Sequence, residues 1–146
     1  MTTTFSTHRH LAVAPEAVFG AIKDPKRLAS WWGPNGFSNR FDLFEFKPGG
    51  KWVFSMIGPD GTTYPNESVF ASIQPDRQVV IRHVCAQHFQ LTITLEPTPT
   101  GTELHWEQVF ADAAVAQSVR HIVEPANEQN LDRLSIELGL RAGQPG

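Results

Sequence analysis

HFQLTITLEPTPTGTELHWEQVF, residues 88–110, alternates apolar and polar side chains twice across a turn rich in Pro and Gly. Phe89, Leu91, Ile93 and Leu95 fall on one face of an extended chain, with His88, Gln90, Thr92, Thr94 and Glu96 on the other, the period of a half-buried strand. Leu104, Trp106, Gln108 and Phe110 repeat the pattern against Glu103, His105 and Glu107. PTPTG supplies the backbone angles of a reversal. The segment is therefore an antiparallel hairpin, strands 88–96 and 102–110, with one apolar face that something must cover.

Upstream, the same period of two recurs at 38–47, 51–58, 64–73 and 78–85, joined by KPGG, GPDGTT, QPDR and a short turn near Ala86. Residues 4–13 make a first strand, bringing the total to seven. Between it and the second strand lie two short helices: PEAVFGAI opens on Pro15 and places Val18, Phe19 and Ile22 on one stripe. DPKRLASWW starts at Asp24 and Pro25 and stops at Gly33 and Pro34. After Asp112, a good N-cap, the chain reads as helix to about Leu140, with Val119, Ile122, Val123, Ala126, Leu131, Leu134 and Leu138 as its apolar stripe. This helix alone is long enough to cover the sheet, so the prediction is an α+β fold with a seven-stranded antiparallel sheet curled around a C-terminal helix.

The 146 residues are expected to form one domain, residues 1–146, with RAGQPG, 141–146, as a frayed tail. Hydrophobic residues are 40 % and charged residues 18 % of the chain, and no apolar run approaches bilayer length. A formal charge of −3 with scattered Lys and Arg lacks the basic stripe of a nucleic-acid binder. MTTTFSTHRHL has no signal-peptide pattern, and Cys85, the sole cysteine, has no disulfide partner within the chain; the expected setting is cytoplasmic.

Three stretches in this order, APEAVFGAIKDPKRLASWWGP, FKPGGKWVFSM and SIQPDRQVV, resemble the bacterial proteins similar to the activator of heat-shock protein 90 ATPase. That family lies within the START-like, or SRPBCC, superfamily, which also holds plant pollen allergens and polyketide cyclases. The resemblance implies a helix-grip fold, often with an apolar cavity between sheet and long helix. It implies little chemistry, since the scaffold serves binders, cyclases and co-chaperone domains. One departure is visible: the last helix begins FADAAVAQSVRHIVEP, without the Gly-Trp pair expected there, which bears on the cavity's helical wall.

Alternation assigns the inner face. Trp52, Phe54 and Met56 point inward in 51–58; Val79, Ile81, His83 and Cys85 in 78–85; and the more apolar set of 64–73 is Glu67, Val69, Ala71 and Ile73. Glu67 then lies opposite His83 or one pair away, a carboxylate meeting an imidazole in an apolar setting. Such a pair can satisfy itself, orient a ligand or carry a proton. With Gln108 it forms the expected polar contact set of a pocket lined by Trp31, Trp32, Trp52, Phe54, Met56, Val69, Ile81, Phe89, Leu91, Trp106, Ile122 and Val123. One of the two adjacent tryptophans is expected to pack and the other to line the mouth, because neighbouring helical residues point about 100° apart.

No metal is expected: His8 and His10 share a strand face, but it is the solvent face and no third ligand stands near in sequence. Neither a nucleophile elbow, a phosphate-cradling glycine loop nor a dinucleotide fingerprint occurs, so no catalytic residue and no cofactor is assigned. The leading expectation is a binder of a small apolar or amphipathic molecule. A cyclase- or hydrolase-like enzyme using the same cavity and a chaperone-interacting module are the alternatives.

Overall fold

Each period-two stretch becomes a strand in the computed structural model, which describes residues 3–85 and 88–140. The order is β1 (Thr4–Leu11), α1 (Pro15–Lys23), α2 (Pro25–Trp31), β2 (Ser38–Phe44), β3 (Lys51–Ile57), β4 (Thr63–Gln74), β5 (Gln78–His83), β6 (Phe89–Thr98), β7 (Gly101–Phe110) and α3 (Ala113–Glu137). The seven strands form one antiparallel sheet, β1-β7-β6-β5-β4-β3-β2. Strands β2 to β7 follow as a meander, while β1 closes against β7, so the two short helices bridge from one edge of the sheet to the other. The turn near Ala86 and the 141–146 tail lie outside the described residues.

Local signals set the helix ends. Asp24 caps α2 by accepting from Lys26 N at 3.0 Å, and Asp112 caps α3 by accepting from Ala114 N at 2.8 Å and Val115 N at 3.3 Å. Pro15 occupies the first turn of α1, where its missing N–H costs nothing. α1 buries Val18, Phe19, Ala21 and Ile22; α2 buries Leu28 and Trp31.

The core lies between the concave sheet face and the helices, and α3 divides into two halves within it. Leu131 and Leu134 join the main core with Trp52, Phe70, Leu91 and Trp106. Ala116, with Val115, Val119 and Val123, packs instead on Phe5, Phe110 and Phe89. Ile122 is not in the stripe: it is 59 % exposed. Residues 116, 119 and 123 face the sheet, which turns 122 away at 100° per residue.

β4 does not keep the single inner face expected of it. Its register runs Ser68↔His83 and Phe70↔Ile81, then Ser72↔Val80 and Ile73↔Val79, so one extra residue, Ala71, is inserted. Such a bulge inverts the parity of a strand. Upstream of Ala71 the buried residues are Ser68 and Phe70, while Glu67 is exposed and Val69 half-buried on the other face; downstream, Ile73 packs on the core.

The C-terminal half of α3 is bonded into the fold. Arg9 donates to Asp132 at 2.6 Å, and Arg27 Nε to Glu137 at 2.8 Å. The hydrogen bond from Arg27 holds the Glu137 carboxyl below its ordinary pKa, with Ser30 assisting. No described helix is long and apolar enough to cross a membrane.

Candidate functional site

Chain order brings the inner-face residues of β3 to β7 into rows. Trp52 pairs with Ser68, Ser68 with His83, His83 with Phe89, and Phe89 with Phe110. At one end of this row lies a groove of about 520 Å³, within the range of small-molecule sites, lined chiefly by Arg82, His83, His88, Phe89, Val109 and Phe110. It sits at the ends of β5, β6 and β7, and no residue of α3 lines it. The first half of α3 instead packs behind Phe89 and Phe110, two of its ring walls. A second hollow of about 40 Å³, between β1 and α3, has room for about one water.

His83 is 7 % exposed, and its ring stacks on Phe89 with centroids 4.6 Å apart and planes 9° apart. Its Nε2 lies 2.8 Å from Asn66 Oδ1. The Asn66 amide nitrogen donates to Tyr64 O, so Oδ1 is the acceptor and His83 Nε2 carries the proton. Cys85 Sγ lies 3.4 Å from the same nitrogen. Asn66 thus takes the place expected of Glu67, which the bulge at Ala71 sends to the opposite face. No carboxylate–imidazole pair forms at His83 from Glu67.

Gln108 is buried, and its Oε1 accepts from Asn127 of α3 at 3.1 Å. Leu91 and Ile81 are buried beside it, and Val123 packs in the smaller cluster against the helix. Toward β3, aromatic rings fill the concave face. Trp52 stacks on Phe54 at 4.2 Å, and Trp32 meets Trp52 at 5.1 Å and Trp106 at 5.8 Å; Met56 packs partly buried against the same core.

SWWGPNG, residues 30–36, is the segment that delivers Trp32. Trp31 is 1 % exposed and donates from Nε1 to Ala21 O at 2.9 Å, whereas Trp32, at the C-cap of α2, is half-buried. Gly33 has φ +97°, and a Cβ there would stand 2.7 Å from Met56 Cε, so the turn requires glycine. Arg133 of α3 pins the segment: its guanidinium donates to the carbonyls of Ser30, Trp32, Gly33, Pro34 and Phe37 at 2.9 to 3.0 Å. Burial pushes the Arg133 pKa down, yet a guanidinium stays charged at neutral pH. Sequence reasoning missed Asn66, Asn127 and Arg133. The last carried a faint signal, a cation between the apolar positions Leu131 and Leu134.

On the outer face, His8 Nδ1 lies 3.0 Å and His10 Nδ1 3.7 Å from the two oxygens of Glu103. Among the described residues no group of three or more His, Cys, Asp or Glu side chains is arranged to hold a metal ion.

Comparison with known proteins places this geometry. The family model described as Activator of Hsp90 ATPase homolog 1-like protein matches residues 12–139. A search of curated proteins finds no match. Among solved structures, a protein of Arthrobacter aurescens superposes with TM-score 0.87 at 22 % identity, over 94 % of this chain and 87 % of that one. A protein of Chromobacterium violaceum gives 0.81 at 24 %, over 91 % and 95 %. The AHSA1 protein of Silicibacter pomeroyi gives 0.76 at 24 %, over 93 % and 97 %. At these identities the likeness is one of fold, the helix-grip arrangement described above.

Proposed function

The chain belongs to the Activator of Hsp90 ATPase homolog 1-like family, and on that premise we propose that it binds a small apolar or amphipathic molecule in the groove at the ends of β5, β6 and β7. The observation that carries this reading is the groove of about 520 Å³ with the stacked His83–Phe89 pair in its wall. The stack offers a flat apolar platform, and Arg82 and His88 give its rim a polar edge. His83 acts here as a ring wall whose Nε2 is engaged by Asn66, and no carboxylate lines the groove beside it, which sets proton-transfer chemistry behind binding. A chaperone-docking role has less support. The large apolar side chains exposed among the described residues, Leu43, Tyr64, Val109, Ile122 and Ile136, are dispersed over β2, β4, β7 and α3.

Native mass spectrometry of the freshly purified protein, alone and with decanoate, naphthalene or 9-fluorenone, tests the proposal. At least one 1:1 complex is expected. Phe89→Ala should weaken it about tenfold, the worth of a lost aromatic contact, while Glu67→Ala, on the opposite face, leaves it unchanged. Protein-only masses throughout would sink the reading.

A further inference from the structure

The groove at the ends of β5, β6 and β7 has two sides. His83, Phe89 and Phe110 make the inner one. Arg82 pairs across the strands with Gln90, and Gln90 with Val109. These three alternate with the buried His83, Leu91 and Phe110 and are themselves exposed, so they make the outer side. Among the described residues no Asp or Glu lines the groove, although the chain carries 15 acidic residues against 12 Lys and Arg. An acid-rich chain has left this one hollow with a cation and no carboxylate.

The cation is uncommitted. Arg9, Arg27, Arg40 and Arg120 each pair with a carboxylate, and Arg133 holds five carbonyl oxygens. Arg82 and Arg77 have no ion pair or side-chain hydrogen bond among the described residues, and neither has the Gln90 side chain. Arg77 lies in the turn between β4 and β5, at the other end of those strands. Glu67, diagonal to Arg82 through the Val69↔Arg82 pair, neither pairs with it nor lines the groove. His88 Nε2 lies 3.2 Å from Val84 O, which can only accept, so that ring spends a proton within the rim. The free donors of the groove are thus the Arg82 guanidinium and the Gln90 carboxamide, cross-strand neighbours about 5 Å apart. From Arg82 to Val109 is two strand spacings, about 10 Å, and the rest of the lining there is apolar: Val84, Phe89, Phe110 and Ala111.

We propose that the molecule held in this groove is an acidic amphiphile, a monocarboxylate on an apolar chain. Its carboxylate takes the planar fork of Arg82, a geometry that suits two oxygens side by side, with the Gln90 amide as a second donor. Its chain crosses Val109 toward Phe89 and Phe110. This rests on the binding role proposed above and names the class of molecule bound. The head group stays at the exposed outer side, so its charge is not stripped of water. A neutral head leaves the fork unused, and a cationic head is repelled by it.

Decanoate and 1-decanol share a chain and differ in the head, and decanol is the more apolar, so a groove that reads only the chain binds decanol at least as tightly. Calorimetric titration at neutral pH and low salt should instead give decanoate about a fivefold advantage, the upper worth of an exposed ion pair. Raising the salt to about 0.5 M should shrink that advantage and leave decanol binding no weaker. Arg82→Gln, an exposed position whose variant is checked by thermal melting, should lose the advantage while binding decanol as before. Arg77→Gln makes the same change of net charge at the far end of the strands and should keep it. Decanoate binding no tighter than decanol, or an Arg82→Gln loss no larger than that of Arg77→Gln, overturns the inference and leaves the binding role standing. Absence of binding by decanoate, decanol, naphthalene and 9-fluorenone alike overturns the binding role itself.

Discussion

Arg133→Ala should melt about 10 °C below the native chain, because one substitution removes five of the hydrogen bonds that fix residues 30–37. The acceptors are main-chain carbonyls at the end of α2 and in the turn after it, a place where helices leave carbonyl groups without partners. Hydrogen bonds from a charged donor are worth about 1.5–3 kcal/mol each when buried, but part of this guanidinium meets water. A net loss of about 3 kcal/mol is therefore expected, at about 2–4 °C per kcal/mol for a chain of this size. Lysine has three donors on one atom and no planar fork, so Arg133→Lys should recover less than half of the loss. Thermal unfolding followed by circular dichroism measures both. A shift below about 2 °C in Arg133→Ala would mean that the Trp31–Trp32 corner holds its shape without the Arg133 guanidinium, through contacts such as Asn130 to Trp31 O.

Gly101→Ala should cost about as much, for a different reason. Gly101 opens β7 at the end of the β6–β7 hairpin with φ +148°, and an added Cβ would stand 2.1 Å from Leu11 O, at the last residue of β1. The next atoms, Ala12 Cα and Val13 N, each 3.0 Å away, are main chain as well, so none of the three can rotate away, and β1 is the edge strand that closes the sheet on β7. A loss on the order of 3 kcal/mol follows from strained backbone and forced separation together. Gly49→Ala is the control: φ is +81° there too, but nothing lies within 4 Å of the added Cβ, so about 1 kcal/mol is expected. Urea denaturation of the two variants should separate them by about 2 kcal/mol; equal losses would refute the steric account.

Periodicity carried the fold because its two periods are properties of short segments. The alternation of 88–110 appears as β6 and β7 with Leu91, Ile93, Leu95, Leu104 and Trp106 buried, and Asp112 caps α3 where its side chain can reach two free N–H groups. The inner face of β4 was illegible for an equally local reason. Its odd positions hold Val69, Ala71 and Ile73, against Phe70 alone among Ser68, Phe70, Ser72 and Gln74, yet one inserted residue at Ala71 gives Ile73 to the core while withholding Glu67 and Val69. A binary pattern does not register where a bulge falls. Ile122 illustrates the helical counterpart: Val119 and Val123 of the expected stripe pack with Ala116, and Ile122 alone at that end turns out to solvent.

The site was harder to read than the fold, because its contacts join distant parts of the chain. His83 meets Asn66 across a strand pair, Gln108 meets Asn127 of the helix, and Arg133 reaches back about a hundred residues to Trp32. No local spacing encodes such meetings. The groove's place is likewise a matter of three-dimensional fit: Trp32, Trp52 and Trp106 fill the concave face that a cavity was expected to occupy, and the open volume falls at the ends of β5 to β7.

Titration of the ¹⁵N-labelled protein with decanoate, naphthalene and 9-fluorenone, followed by amide chemical shifts, tests the proposed binding role most directly. At least one of the three should shift a contiguous set of amides centred on His83, Phe89, Gln108 and Phe110. An unchanged spectrum with all three, or shifts confined to residues that lie away from the groove, would contradict it.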